Sequence, residues 1–335
     1  MKALKWIGLL VGLPSIAIAI FYIWASAATQ DLQEADAVVN YAGSGDSEAQ
    51  TSTIDGYTIA SYNIGYLSGS ANNTTERLEQ SAYEKNLKSA IAALKSVNPD
   101  IVAFQEIDFA SKRSYEVNQA EAIAQATGLY NGATATNWDK NYVPFPYWPP
   151  TAHFGKMLSG QAILTRPEFS IEENHRLVLE EVADRPFFYK AFYLSRLAQV
   201  AKVNLQGQPV IVINTHLEAF VEKTRASQTA FVRSLAEDYA KTYPVILLGD
   251  FNSALNRAEE TDFSIKILMD SEVLSPAEPP SNWESKPTFP SNQPKYKLDY
   301  IFYTPKTIDV LETQVVAAAG KSSDHLPIVM RFRLK

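Results

Sequence analysis

The chain of 335 residues contains no cysteine. That absence excludes disulfide bonds, zinc sites built on thiolates, a cysteine nucleophile and a lipid attached to cysteine. It does not assign a compartment, because many exported proteins also lack disulfides. No internal repeat of fixed period is visible, and the length corresponds to one large domain or two small ones.

A strong positive charge is also missing. The net charge is −7, and residues 1–55, with two lysines and six acidic residues, carry −4 of it. The remaining residues hold 28 basic and 31 acidic side chains, which leaves them nearly balanced. A balanced domain does not require a polyanionic partner, although a local basic groove is compatible with it.

Charged residues are absent from positions 7–25, a run of 19 mostly apolar residues that follows Lys2 and Lys5. This length suffices for a helix that crosses a bilayer, and it exceeds the usual apolar region of a cleaved signal peptide. A cleaved signal stays an alternative, since Ala-Ser-Ala at 25–27 is a plausible cleavage site. Residues 26–55 contain no lysine or arginine, so the positive-inside rule places the C-terminal domain outside the cytoplasm.

These patterns predict three parts: a transmembrane anchor or signal at 1–28, an acidic flexible linker at 29–55, and one folded domain at 56–335. Within the domain, short apolar runs rich in β-branched residues outnumber amphipathic helices. Several of these runs are adjacent, which favours mixed or antiparallel sheets. Because helices fall between strands in both halves, we predict an α+β fold, a four-layer α/β/β/α sandwich of two packed mixed β-sheets flanked by helices.

Polar residues of a few chemical types lie inside these apolar runs or at their ends. They include two histidines, several carboxylates and the carboxamides of Asn63 and Asn252, delivered from several separate strands. Each motif alone is more often a turn, a cap or a satisfied core residue than a site. The set consists of Tyr62-Asn63-Ile64, Gln105-Glu106, Asn214-Thr215-His216-Leu217, Gly249-Asp250-Phe251-Asn252, Leu298-Asp299-Tyr300 and Ser323-Asp324-His325.

This inventory fits the hydrolysis of a phosphate ester at a divalent metal. Magnesium takes few protein oxygens, so Glu106 at a strand end is a fitting ligand. Asp250 and Asn252 are two apart in an extended segment and project from the same face, where they can orient a water or hold a metal. Asp299 can hold His325 through a hydrogen bond that fixes the tautomer of the imidazole.

Taken in order, the segments resemble the endonuclease/exonuclease/phosphatase superfamily, whose members have the DNase I-like fold. The resemblance covers about residues 57–334. The segment 159–166 is similar to the family's Gly-x-Ala-Ile-Leu-Ser-Arg strand, and 224–228 is similar to its Arg-x-x-Gln helix start. The resemblance implies a metal-dependent phosphoric ester hydrolase, of the phosphodiesterase and nuclease class, with residues 56–335 as its catalytic domain.

The resemblance also implies the metal site. Asn63 and Glu106 serve Mg²⁺, for which Mn²⁺ is an alternative, and Asp324 is a carboxylate linked to the metal. His216 contacts or protonates phosphate oxygens. No acidic partner for His216 is evident in the middle of the chain, so its protonation state stays open.

The remaining roles implied by the resemblance concern the water and the second imidazole. Asp250 and Asn252 orient the attacking water. Asp299 supports His325, which acts either as a base or as a stabiliser of the phosphate. The catalytic residues predicted in this way are His216, Asp250, Asn252, Asp299 and His325.

The fold does not select the substrate. Residues 138–154 are rich in aromatic residues and proline, which suits a lipid–water interface if they are exposed, although packing as an Ω-loop is equally compatible. The Tyr-Val-Pro-Phe-Pro region at 142–146 resembles membrane-linked, bacterial-type members grouped with GPI-anchor lipid remodelling proteins. We therefore expect a phospholipid or lipid headgroup as substrate, with Tyr142, Trp148 and Arg166 as substrate-binding residues.

Two alternatives belong to other classes. A non-catalytic tethered binding module is disfavoured, because no position of the chemical set is replaced by an inert residue. An exported DNA or RNA nuclease would need basic residues along the cleft to hold several phosphates. The candidates for such a groove are scattered in the sequence: Lys112, Arg113, Lys140, Lys156 and Arg166.

Overall fold

The computed structural model describes residues 2–31, 34–42, 56–261 and 263–335, with side chains from residue 12 onward. Six α-helices lie in these ranges: α1 (Lys2–Ser26), α2 (Gln80–Val97), α3 (Gln119–Thr127), α4 (Phe187–Lys190), α5 (Glu222–Tyr239) and α6 (Ile265–Met269). The same ranges contain thirteen strands: β1 (Val38–Asn40), β2 (Tyr57–Asn63), β3 (Ile101–Asp108), β4 (Asn131–Val143), β5 (Gly155–Thr165), β6 (Ile171–Val178), β7 (Leu197–Leu205), β8 (Gln208–His216), β9 (Val245–Asp250), β10 (Ser275–Pro276), β11 (Asp299–Tyr303), β12 (Ile308–Val315) and β13 (Ile328–Leu334).

The strands form two sheets. One has the order β1-β4-β5-β3-β2-β13-β12, and the other has the order β10-β11-β9-β8-β7-β6. Each sheet holds one parallel pair, β2 with β3 and β8 with β9, among antiparallel neighbours. Both sheets are therefore mixed, as the adjacent apolar runs of the sequence predict.

Helices and sheets are stacked in four layers. A core of aliphatic side chains, among them Ile59, Ile101, Val212 and Ile246, fills the space between the sheets. Helices α2 and α3 cover the outer face of the first sheet, and α5 and α6 cover that of the second. Strands β3 and β9 are consequently buried at every position, because one face meets the other sheet and the opposite face meets a helix. The predicted α/β/β/α sandwich is confirmed.

Part of the segment predicted as a linker is hydrogen-bonded to the domain. The N–H groups of Thr29 and Gln30 donate to the carboxylate of Asp139, and β1 pairs with β4. Residues 29–31 and 34–42 are thus attached to the domain by hydrogen bonds, whereas residues 43–55 lie outside the described part. Among the residues that the structure describes, no helix is long and apolar enough to cross a bilayer.

Candidate active site

Three of the predicted catalytic residues lie in one row across adjacent strands of the second sheet. His216 on β8 and Asp299 on β11 are both register partners of Asp250 on β9. Side chains opposite one another on neighbouring strands share a face of the sheet. Gly249 lets β8 and β9 approach here, since a Cβ at this position would lie 1.9 Å from the carbonyl oxygen of Thr215. The row lies at the C-terminal ends of β8 and β9.

One side of the site is built around His325. Its Nδ1 lies 2.9 Å from Asp299 Oδ2, as predicted, and its Nε2 lies 3.7 Å from Asp250 Oδ2. Burial alone would lower the pKa of this imidazole, but the charges of Asp299 and Asp250 outweigh burial and raise the pKa well above its ordinary value. His325 is therefore a cation at neutral pH, with Nδ1–H donating to Asp299.

The other side is built around His216. Arg196 Nη1 lies 2.6 Å from His216 Nε2, and because arginine has only donors, this nitrogen accepts. Burial lowers the pKa of His216 well below its ordinary value, and the charges of Arg196 and His325 lower it further. Burial and the arginine thus favour a neutral His216, whose Nε2 also lies 3.7 Å from Oε1 of Glu106.

Arg196 is itself held by a buried carboxylate. Its Nε lies 3.8 Å from Glu218 Oε2, and Glu218 Oε1 accepts a hydrogen bond of 3.0 Å from Arg185. The side chain of Arg196 is only 6% exposed, and its Nε has no hydrogen-bond partner among the described residues. A buried guanidinium with unused donors is suited to receive an anionic ligand.

Acidic side chains converge on the side of the first sheet. Asn72 donates from Nδ2 to Glu106 Oε2 at 2.8 Å and to both oxygens of Asp324 at 3.2 Å. Gly65 makes room for this group, since a Cβ there would lie 2.6 Å from Asp324 Oδ1. Burial, together with the charge of Asp324, raises the pKa of Glu106 to about 7. Two carboxylates sharing one amide form an acidic set that a divalent cation would fit.

The two predicted carboxamides both support Asp250. Asn63 donates from Nδ2 to Asp250 Oδ2 at 2.9 Å, while its own oxygen accepts from the N–H of Gly65. The N–H of Asn252 donates to Asp250 Oδ1 at 2.9 Å, and its side chain donates to the carbonyl of Leu217. Asp250 is thus fixed by hydrogen bonds on both oxygens.

Asp250 also lies between the two imidazoles, since its Oδ2 is 3.6 Å from His216 Nε2 and 3.7 Å from His325 Nε2. Burial raises its pKa to about 6; the charge of His325 opposes this rise and that of Asp299 adds to it. Asp250, Asp299 and His325 each offer one ligand atom within 4.8 Å of the others. The predicted catalytic and metal residues therefore form one cleft between the ends of the two sheets.

A family model for the endonuclease/exonuclease/phosphatase family matches residues 60–325. The chain belongs to this family. Solved structures with the same fold include the mannosyl-6-phosphatase of Bacteroides thetaiotaomicron, which is 19% identical, has a TM-score of 0.59, and covers 83% of this chain and 99% of its own. The human Nocturnin catalytic domain is 20% identical, with a TM-score of 0.57 over 84% of this chain and 95% of its own. At such identities the likeness shows a shared fold.

Curated relatives match a smaller part of the chain. Two UPF0294 proteins from strains of Vibrio cholerae are each 30% identical over 131 residues, which are 38% of this chain and 41% of the relative. The chain thus spans about two fifths of the length of these relatives. Members of the family are phosphoesterase or nuclease hydrolases that generally depend on a divalent metal.

The predicted substrate-binding residues are placed apart. Trp148 is 79% exposed, while Tyr142 is half-buried and bonds through its hydroxyl to His153. Arg166 lies at the opposite end of β3 from Glu106, where Asp100 and Asn98 bind its guanidinium. The structure does not bring Arg166 to the site, because its charge already neutralises Asp100.

Sequence reasoning does not identify three residues of the cleft. Asn72 comes from a Gly/Ser/Asn loop, Arg196 precedes β7, and Glu218 follows the Asn-Thr-His-Leu motif by one residue. The only signal for Glu218 is this proximity to the motif. Loop residues such as Asn72 have no periodicity that would mark them.

Proposed function

We propose that this protein hydrolyses phosphate esters with a divalent metal, and that its substrate is a phospholipid or lipid headgroup. The observation that carries the reaction is the convergence of Asp250, the imidazoles of His216 and His325, and Arg196 on one point between the sheets. Such a cleft combines fixed positive charge with a fixed carboxylate, and phosphoryl transfer needs both.

The positive charges bind the phosphate. His325 presents Nε2–H toward the cleft while Asp299 holds the ring from behind. Arg196 supplies a second cation whose guanidinium is buried beside His216. Both are preorganised by carboxylates, so they stabilise charge on the phosphoryl oxygens without reorganising during the reaction.

Asp250 orients the water. Its carboxylate is ionised above a pKa of about 6, and hydrogen bonds from Asn63 and Asn252 fix its direction. A water bound to Oδ2 donates one proton to this oxygen as its own oxygen forms the new bond to phosphorus. The bond from phosphorus to the ester oxygen breaks at the same time, and this oxygen leaves with the electron pair and takes a proton from solvent. His325 does not act as the base in this scheme, because it is already protonated.

Glu106 and Asp324 are the residues that would hold the metal, and Asn72 Nδ2 bonds to both carboxylates. When bound, a divalent ion neutralises phosphoryl oxygens and so stabilises the charge of the transition state. The fit rests on the carboxylates of buried Glu106 and partly buried Asp324, whose mutual repulsion a cation relieves. Magnesium is our proposal for the ion, with manganese as an alternative.

Two of the five basic residues considered for a nucleic-acid groove, Arg113 and Arg166, already pair with carboxylates, which favours a lipid over a nucleic acid. A nuclease needs cations along its groove, but Arg113 is buried in an ion pair with Asp108 and lies 3.3 Å from the centre of the Tyr66 ring. Arg166 is bound at the far end of the domain. Instead, Tyr147 and Trp148 are exposed on the segment that follows β4. Aromatic side chains of this kind suit a lipid–water interface.

The membrane association is part of the same proposal. We propose residues 1–28 as the membrane-associated segment, with the catalytic domain on the extracytoplasmic side, on the charge asymmetry of the flanking residues. If the segment is cleaved, the domain is released.

The test is hydrolysis by the full chain of three substrates: bis(p-nitrophenyl) phosphate, phosphatidylcholine–phosphatidylglycerol vesicles and plasmid DNA. Each is assayed with Mg²⁺, with Mn²⁺ and with chelator, and His325→Ala serves as control. Metal-dependent release from vesicles that the variant loses supports the proposal. Nicked plasmid with intact lipid would make the protein a nuclease, and no hydrolysis of any substrate would favour a binding module.

A further inference from the structure

Large aromatic side chains are exposed on two separate segments of the domain. The first follows β4 and exposes Tyr147 by 67% and Trp148 by 79%. The second is α4, which exposes Phe187 by 76% and Phe188 by 54%. Exposing such side chains to water is unfavourable, and a cluster of them marks a surface that contacts something apolar.

The two segments lie side by side. Trp138 near the end of β4 donates from Nε1 to the carbonyl of Phe192 just after α4, at 2.8 Å. Leu194 packs into the same small cluster as Trp138 and Phe154. Tyr147 is near enough to Tyr189 that its charge adds to the rise in the pKa of Tyr189, which is due mainly to burial. The exposed aromatics thus form one continuous surface.

The C-terminal end of α1 joins this surface. Tyr22 packs edge-on against Phe187, with ring centres 6.2 Å apart, and Trp24 stacks on Tyr142 at 6.4 Å. Further along α1, Ile16, Ile18 and Ile20 are each more than half exposed. Ile18 and Ile20 are two residues apart and therefore lie on opposite sides of the helix. A helix that is apolar all round is normally covered by protein or lipid.

Cations lie behind the aromatic side chains. Lys140, Arg185, Lys190 and Arg196 line a pocket of about 160 Å³, together with three glutamates. Glu218 pairs with Arg185 and Arg196, but Lys140 and Lys190 form no ion pair among the described residues. Arg196 lines the pocket and its guanidinium lies 2.6 Å from His216 Nε2, so the pocket lies next to the active site.

We infer that a docking face for a phospholipid bilayer is formed by Tyr147, Trp148, Phe187 and Phe188, together with the exposed residues Ile16, Ile18 and Ile20 of α1. The occupant is a bilayer because the face combines an all-round apolar helix with aromatic side chains and nearby lysines, of which Lys140 donates to the carbonyl of Ser26 and neither Lys140 nor Lys190 forms an ion pair among the described residues. These three features suit acyl chains, the interface and anionic headgroups respectively. Docking would place the pocket at headgroup depth. The inference deepens the proposed lipid substrate by naming the surface that presents it.

The first arm of the test uses the absence of cysteine. Single variants Trp148→Cys, Phe188→Cys and, as a control, Phe231→Cys of the full chain are labelled with a fluorophore that brightens in lipid. Phe231 on α5 is 48% exposed and belongs to a different segment of the domain. With phosphatidylcholine–phosphatidylglycerol vesicles, we expect labels at 148 and 188 to brighten and to be quenched by brominated acyl chains, while the label at 231 stays water-like. Equal water-like signals at all three positions would overturn the inference.

The second arm compares kinetics. The double variant Phe187→Ser/Phe188→Ser is expected to hydrolyse vesicle lipid roughly tenfold more slowly than the wild type, since two apolar contacts with the bilayer are lost. Hydrolysis of bis(p-nitrophenyl) phosphate should be unchanged, and Phe231→Ser should change neither rate. Equal losses on both substrates would refute a docking role. If no ester is hydrolysed at all, the proposed function fails, while the fluorescent labels still decide whether the face binds lipid.

Discussion

The two imidazoles of the cleft lie at similar distances from Asp250 but in opposite electrostatic surroundings. His325 lies between two carboxylates and is a cation, whereas His216 faces Arg196 and is neutral. Both rings are buried, so burial alone would make both neutral. For His325 the neighbouring carboxylates outweigh burial, whereas for His216 burial is the larger cause and the charge of Arg196 acts in the same direction. The comparison teaches that a buried histidine is charged only where carboxylate neighbours outweigh its burial.

The largest effect is expected from the residue that the two sides share. Asp250→Asn keeps the size of the side chain but removes the carboxylate that orients the water, so kcat should fall by roughly 10³-fold or more. The measurement is the turnover of bis(p-nitrophenyl) phosphate. Asp238→Asn, on the exposed face of α5, is the control and should match the wild type. A loss in kcat below tenfold would show that Asp250 does not orient the attacking water.

Breaking the His325 side should change the pH dependence. Asp299→Asn removes the charge that raises the pKa of His325, so the imidazole loses its proton at a lower pH. We expect kcat to fall by about 10²-fold at pH 8 and the loss to become smaller as the pH is lowered. The measurement is a pH–rate profile of both proteins. Parallel profiles would contradict a cationic His325.

Removing the arginine that contacts His216 should lower activity less than the two preceding substitutions. Arg196→Gln removes one of two cations and should lower kcat/KM by roughly 10- to 100-fold, because a charge-assisted contact with the phosphate is lost. Arg185→Gln is the matched control. Arg185 also bonds to Glu218, but among the described residues it forms no hydrogen bond with His216. Equal losses in the two variants would mean that Arg196 acts only through Glu218.

The smallest effect concerns stability. The pKa of Glu106 is raised to about 7 in the folded state. Its contribution to the free energy of unfolding is therefore fully present below its ordinary pKa near 4.5 and is lost as the pH rises through 7. In chelator, the Tm of the wild type should therefore fall between pH 5 and 8. Glu106→Gln should remove the part of this fall in Tm that is due to Glu106, and should raise the Tm at pH 8 by about 2–5 °C. An unchanged pH dependence would contradict the raised pKa.

Sequence reasoning reaches the central strands because their environment leaves a clear pattern. Val245–Asp250 and Ile101–Asp108 are apolar runs buried on both faces, and polar residues at their ends are conspicuous. Strand β4 is not predicted, since Thr134, Thr136 and Asn137 are polar residues that are nevertheless buried. Their hydrogen bonds reach partners far apart in the chain, which local periodicity does not reveal.

The same limit applies to the cleft. Residues such as Asp250 and His216 are identified because they sit in recognisable motifs at strand ends. Arg196 contacts His216 across 20 positions of sequence and adds to the lowering of its pKa by burial, and nothing around Arg196 marks it as functional. Trp148 is recognisable as aromatic, but only the fold shows that it is exposed beside α4. Long-range pairing therefore supplies what the sequence does not.

The row of His216, Asp250 and Asp299 has a consequence for insertions and deletions. All three side chains share one face only while β8, β9 and β11 keep their register. Adding or removing a single residue within β9 would turn Asp250 toward the opposite face, without altering the composition of the cleft. The register of these strands therefore restricts sequence change in this protein as strongly as the identity of the site residues does. Insertions and deletions are expected to be tolerated in the loops that follow the strands.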